Sequence, residues 1–97
     1  MRCSNIRTIS KHIIKMNLST AERMILLAVN IFGDGGRDRI DERFISDAAG
    51  LSNSVAEIII SDLRSKGLLS FVTVEKKGTT YNHHSLTASF LSSIEGV

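Results

Sequence analysis

The chain has 97 residues, 42% apolar and 23% charged, with no Pro or Trp, four Phe, one Tyr and one Cys; this is the balance of one small domain with an aliphatic core. Cys3 has no second Cys to pair with, no apolar run is long enough to cross a bilayer, and Arg7, Lys11, His12 and Lys15 break up any leader-like block, so a disulfide-framed or membrane protein is excluded and a reducing cytoplasm is expected. The formal net charge of +2 excludes binding of nucleic acid by bulk charge: residues 1–16 hold four bases and no acid, and the rest hold eight bases and ten acids, so any such attraction comes from the N-terminal segment and local patches.

Residues 5–16, NIRTISKHIIKM, place Ile6, Ile9, Ile13 and Met16 at helical spacing, with Arg7, Lys11 and Lys15 off the stripe. This predicts a short amphipathic helix whose stripe packs on the body or on a second chain. In LSTAERMILLAVNIF, Ser19 and Glu22 have capping-box spacing. The helix they start is expected to run to about Phe32. Met24, Ile25, Leu26, Leu27, Val29, Ile31 and Phe32 make it apolar on nearly every side, as for a helix buried from several directions. GDGGRDRID breaks it into a loop, with room for a short strand at Arg39-Ile40.

Asp41 is the expected N-cap of ERFISDAA, with Phe44, Ile45 and Ala48 turned inward. Gly50 ends that helix in left-handed backbone, Leu51 plugs the turn, and Ser52 caps a helix over about 53–66 that Gly67 ends in the same way. LLSFVTVEKKGTTYNH alternates and is rich in β-branched residues, which predicts a hairpin around Lys76-Lys77-Gly78. SLTASFLSSI then sets Leu86, Phe90, Leu91 and Ile94 on one face of a terminal helix over about 86–95. The expected fold is mainly α with a small β-hairpin (α+β), a single domain over 1–97.

Helix, helix, glycine turn, helix, hairpin is the order of a winged helix-turn-helix. From Leu18 to about Asn82, two thirds of the chain, the sequence resembles the winged-helix domains of bacterial and phage DNA-binding proteins, including phage replication-initiator N-terminal domains and small transcriptional repressors. LSTAERMILLAV, ISDAAGLSNS, LRSKGLLSF and the hairpin carry the likeness, together with the spacing from Ser52 to Leu63 to Gly67. It implies a winged helix-turn-helix with extra N- and C-terminal helices, flanking a core at about 18–82. It also implies a sequence-specific regulator of transcription or replication, of bacterial, plasmid or phage origin, acting on double-stranded DNA. Such domains commonly pair through helices outside the winged core, so a homodimer through the terminal helices is expected, matched to a palindromic site.

Mapped onto the 53–66 helix, that pattern puts Ala56, Ile59, Ile60 and Leu63 in the core and Asn53, Ser54, Glu57, Ile58, Ser61 and Asp62 outside; Ile58, Ile59 and Ile60 span too much of the helix for one core face, so Ile58 covers a terminal helix or touches a partner, and packing with the core is the expectation for it. Asn53, Ser54, Glu57 and Ser61 then face the major groove, where Asn53 can pair with adenine and Glu57 can accept from cytosine. Arg43, Arg64, Lys76 and Lys77 face phosphates, helped by Lys66, Arg37, Arg39 and the basic N-terminal helix. Winged helices of this type usually carry Arg, Lys or Gln on that face. The two carboxylates here repel phosphate, so the alternative is a winged-helix protein-interaction module whose partner is another protein. Asn53 and Ser54 are also ordinary first-turn residues, and lysines at a hairpin tip are commonly just solvated.

No enzyme, metal site or cofactor is expected. His83 and His84 are adjacent, so their side chains diverge on an extended backbone, and no Cys or His recurs at ligand spacing. DGGRDRID lacks the calcium-loop order, the glycines at 33, 35 and 36 fit no phosphate-binding loop, and no Ser sits in a nucleophile elbow.

Overall fold

Local signals decide where most of the helices start and stop. In the computed structural model, which describes residues 6–34 and 39–95, the elements are α1 (Ile6–Lys15), α2 (Thr20–Asp34), α3 (Glu42–Ala49), α4 (Asn53–Ser65), β1 (Leu69–Lys76), β2 (Thr79–Leu86) and α5 (Ala88–Glu95). The chain is therefore mainly helical with one antiparallel hairpin, an α+β fold. Ahead of α2 the capping box forms in both directions: the Glu22 amide donates to Ser19 Oγ at 3.2 Å and the Ser19 amide to Glu22 Oε1 at 2.9 Å. Asp41 caps α3 by accepting from the Phe44 amide at 2.9 Å, and Ser52 caps α4 by accepting from the Val55 amide at 3.3 Å.

Gly50 lies at φ 73°, where a side chain would be strained. Its amide and that of Leu51 donate to the carbonyls of Asp47 and Ser46, closing the end of α3 and turning the chain into α4. The amides of Gly67 and Leu68 close α4 in the same way, onto Arg64 and Leu63. The hairpin turns through Lys77 at φ 53° and Gly78 at φ 79°. Two central residues with positive φ are the tight turn whose twist matches two paired strands. Lys76 is thus the last residue of β1, opposite Thr79, and Lys77 alone of the two lysines sits in the turn.

Apolar side chains from every helix and from β1 form one buried cluster. Ile9 and Ile13 enter from α1; Ile25, Leu26 and Val29 from α2; Ile45 and Ala49 from α3. Ala56, Ile60 and Leu63 come from α4, Leu69 from β1, and Phe90 and Ile94 from α5. No helix among the described residues is long and apolar enough to cross a membrane.

Several expectations are corrected. The second helix passes Gly33 and ends at Asp34, since a helical glycine weakens a helix without stopping it. That helix is not apolar-buried all round: Met24, Ile31 and Phe32 are exposed, and Phe32 meets Phe44 edge-on at 4.9 Å on the rim of the core. In α3 it is Ala49, one turn after Ile45, that faces inward, while Ala48 is exposed. Arg39 and Ile40 form no strand. The Ile40 carbonyl accepts from the His84 amide at 2.9 Å, but its own amide donates to His83 Nδ1 instead of to a backbone partner.

The last helix starts at Ala88, and Leu86 is instead the final residue of β2, paired with Leu69. Between them Thr87 accepts from the Phe90 amide at 3.1 Å and donates to the Gly67 carbonyl at 2.7 Å, so it both starts α5 and ties it to the end of α4. Of the two places expected for the apolar stripes of the terminal helices, the body or a second chain, the body takes Ile9, Ile13, Phe90 and Ile94, which are buried, and His12 meets the Phe90 ring at 6.0 Å.

Candidate nucleic-acid interface

The outward side of α4 follows from its inward side. Ala56, Ile60 and Leu63 are buried and Ile59 is half-buried, which leaves Asn53, Ser54, Glu57, Ser61 and Asp62 exposed, as the periodicity predicts, and leaves Ile58 exposed too, which corrects its expected place in the core. At 100° per residue, Ile58 points almost opposite the buried stripe. It is 71% exposed, the barest large apolar side chain of the described residues. Val55, placed by sequence in neither group, is exposed beside it.

Asn53 is less available than expected. Its side-chain amide lies 2.6 Å from Ser46 Oγ, which is itself 2.9 Å from the Arg43 carbonyl. A hydroxyl has one proton to give, so Ser46 donates to one of the two and the Asn53 amide supplies the complement. Either way half of that amide is committed to tying α4 to α3. Bidentate pairing with adenine needs both halves, so it needs this bond to be given up or shared. Ser46 is fully buried and was not singled out by sequence, because a hydroxyl at its position looks like a surface residue.

Two of the basic helpers are held by acids within the fold. Lys66 Nζ lies 2.7 Å from Glu22 Oε2 and 3.1 Å from Asp62 Oδ2. The hydrogen bond from Lys66, then that from the Ser19 amide, brings the Glu22 carboxyl down to about 2, and the two acids push the Lys66 ammonium up. Lys66 is thus a clamp between α2 and α4 and adds little positive field. Arg39 pairs with Asp41 at 2.7 Å and lies 4.7 Å over the Tyr81 ring. Burial of Asp41 would raise its carboxyl, but the Phe44 amide and Arg39 outweigh it and hold it below the usual range.

Arg64 lies 4.7 Å over the Phe71 ring, an aromatic perch at the base of the hairpin that keeps the guanidinium at the surface. Arg43, Lys76 and Lys77 are exposed, on α3, at the end of β1 and in the turn. The eight expected contact residues thus all lie at the surface on α3, α4 and the hairpin. Arg37 falls outside the described residues, as does Cys3.

His84 is the site residue that sequence reasoning undervalued. It is fully buried, paired with Phe71 across the hairpin at 5.5 Å between rings, and its Nε2 lies 3.6 Å from Glu42 Oε2 without a hydrogen bond to either ring nitrogen. Burial lowers its pKa below 6.5; Glu42 pulls it up, and Arg64 and His83 push it down again. The signal was in the alternation: His84 shares a strand face with Leu86, which pairs with the buried Leu69.

Among the described residues no three His, Cys, Asp or Glu side chains gather as a metal site. A hollow of about 300 Å³ is lined by Ile9, Val29, Asn30, Gly33, Leu91 and residues 83–86, with nothing from α4. Compared with known proteins, the chain matches no protein-family model and none of the curated proteins.

Proposed function

We propose that the chain is a winged-helix DNA-binding domain of a transcription or replication regulator, of the bacterial, plasmid or phage type that its sequence resembles. One observation carries this reading: α3 passes through the Gly50-Leu51-Ser52 turn into α4, whose outer side is bare, and the hairpin follows three residues after α4 ends. A helix held by a preceding helix and free on its far side can enter a major groove, and a hairpin beside it can reach the phosphates. Ser54, Ser61 and Glu57 present hydroxyls and a carboxylate to base edges, with Glu57 suited to a cytosine amino group. Ile58 offers an apolar contact for a thymine methyl. Arg43, Arg64, Lys76 and Lys77 take phosphates, and the cytoplasm is the compartment where such a domain meets DNA.

Fluorescence anisotropy on duplex DNA across a salt series tests this. The logarithm of the binding constant should fall steeply with the logarithm of salt. The Lys76→Ala/Lys77→Ala double variant should flatten the slope by about 2 if both lysines neutralise phosphates. Absence of binding at low salt sinks the reading.

A second reading has its own support. Ile58, 71% exposed, sits on a face that also carries Glu57 and Asp62, which suits a protein surface better than a polyanion. In that reading α4 docks another protein.

A further inference from the structure

Opposite the seat of α1 lies a row of cations. Ile9 and Ile13 point into the core, and at 100° per residue Lys11 points about 180° from their midpoint. Arg7 and Lys15 fall about 40° to either side of Lys11, one turn before it and one turn after. All three are exposed, and none has an ion-pair partner among the described residues. Ile14 is exposed at the edge of the row.

The charge around the row is of one sign. Residues 1–16 contain no acid. α1 packs on α2 and α5. On α2, Glu22 is held by Lys66, and Arg23 adds a cation at the C-terminal end of α1, where its Nη2 donates to the Met16 carbonyl at 3.3 Å. The other acids of those two helices, Asp34 and Glu95, are the last residue of each. Set against both, Arg7, Lys11, Lys15 and Arg23 still leave this side of the molecule positive. Cations four residues apart repel and weaken a helix, and an anion laid along the row removes that cost.

We propose that the outer face of α1 binds the phosphate backbone of duplex DNA, whatever the base sequence, as a contact separate from that of α4 and the hairpin. α4 sits on α2, α3 and β1, whereas α1 sits on α2 and α5, so the two outer faces belong to different parts of the surface. Arg7, Lys11 and Lys15 step along the axis by about 6 Å each and can meet separate phosphates. Such contacts hold a protein on DNA without reading it. An anionic membrane fits less well. A helix lying in a lipid surface buries its apolar side there, and the apolar side of α1 is spent on the core, which leaves Ile14 alone. The inference rests on the DNA-binding reading of the domain and adds a second contact to it.

Fluorescence anisotropy of the full chain on a random-sequence duplex across a salt series tests it. Each neutralised phosphate contributes about 0.9 to the slope of log binding constant against log salt, so Arg7→Gln/Lys11→Gln/Lys15→Gln should flatten it by about 2 to 3. Lys11→Gln alone should flatten it by about 1. Glutamine is a good helix former and the like charges are gone, so the melting midpoint of the triple variant should hold or rise. Arg43→Ala/Arg64→Ala/Lys76→Ala/Lys77→Ala strips the other contact. It should still bind at low salt, and adding the α1 triple to it should abolish binding.

A wild-type chain that binds DNA with the same slope as its α1 variants overturns this inference and leaves the α4 reading standing. A slope flattened by the α1 variants and untouched by the Arg43/Arg64/Lys76/Lys77 variant keeps this inference and removes the α4 reading. A wild-type chain that binds no duplex at low salt overturns both. Binding to phosphatidylserine vesicles that the α1 triple abolishes, with the DNA slope unchanged, overturns it in favour of a membrane.

Discussion

In α1 and in α4 an isoleucine is fully covered while another a residue or two away is bare: Ile13 beside Ile14, and Ile60 two places from Ile58. The side chains are identical, so hydropathy cannot separate them; angular position on the helix does. The two helices differ in what else holds them. α1 lies on the body through its apolar stripe, with Asn30 Nδ2 donating to Ser10 Oγ at 3.1 Å near the middle of the helix. α4 is fastened by polar contacts at both ends as well: Ser46 to Asn53 at the start, and Lys66 to Glu22 with Arg64 on Phe71 at the finish. A helix that must present one face in a fixed direction benefits from such fastening, because buried apolar contacts alone leave rotation and sliding less restricted.

The sharpest test of the contrast is stability. Ile60→Ala and Ile13→Ala should each cost about 2–5 kcal/mol in urea unfolding, since both side chains are fully buried. Ile58→Ala and Ile14→Ala should stay within about 0.5 kcal/mol. Equal losses at bare and buried positions would break the comparison.

A smaller effect isolates the turn that aims α4. Gly50→Ala adds a methyl group with nothing within 4 Å of it, so its cost is conformational alone. About 1–2 kcal/mol is expected from the left-handed backbone, read from the denaturation midpoint.

Acid unfolding probes the polar fastening of α4 against the apolar seating of α1. The Glu22 carboxyl is held at about 2 against an ordinary 4.5. The unfolded chain therefore takes up the proton first, and the stability Glu22 contributes is complete above 4.5 and lost as pH falls to about 2. Glu22→Gln should remove that stretch of the pH profile and cost at most about 1 kcal/mol at neutral pH, because Lys66 is partly in solvent. Ser10→Ala in α1 should leave the profile unchanged.

The mildest predicted change is a slope at higher pH. His84 has its folded pKa lowered from 6.5, chiefly by burial. Its contribution is complete above about 6.5 and declines as pH falls from there towards the folded pKa, since protonation favours the unfolded chain. His84→Phe, which retains a ring beside Phe71, should flatten the fall of the midpoint below pH 6.5. An unchanged slope would show that His84 titrates alike in both states.

Elements governed by neighbours in the chain were legible. Ser19 with Glu22, Asp41, Ser52, Gly50 and the Lys77-Gly78 turn each act within a few residues, and each does in the fold what its spacing predicts. The polar members of the outer set of α4 were legible too, since three buried positions at helical spacing define its complement, whereas Ile58, expected in the core, is bare. Misplacements arose where two periodicities compete or a distant element decides. Leu86 satisfies a helical stripe with Phe90 and Ile94 as well as a strand alternation with His84, and pairing with Leu69 settles it as strand. Asn53 reads as a free amide until Ser46, seven residues earlier, comes within 2.6 Å. Lys66 reads as a phosphate ligand until Glu22, 44 residues earlier, claims it.

The amino-acid order alone determined the helix boundaries that caps and turns control, the hairpin tip, and which side of α4 faces out, because these depend on interactions spanning a turn or two. Tertiary packing decided that the terminal stripes close over their own core, that His84 is buried, and that Asn53 and Lys66 are engaged from within. Those outcomes depend on which surfaces and charges meet across tens of residues, and a side chain's hydropathy or charge does not encode the identity of the neighbour that will cover or pair with it.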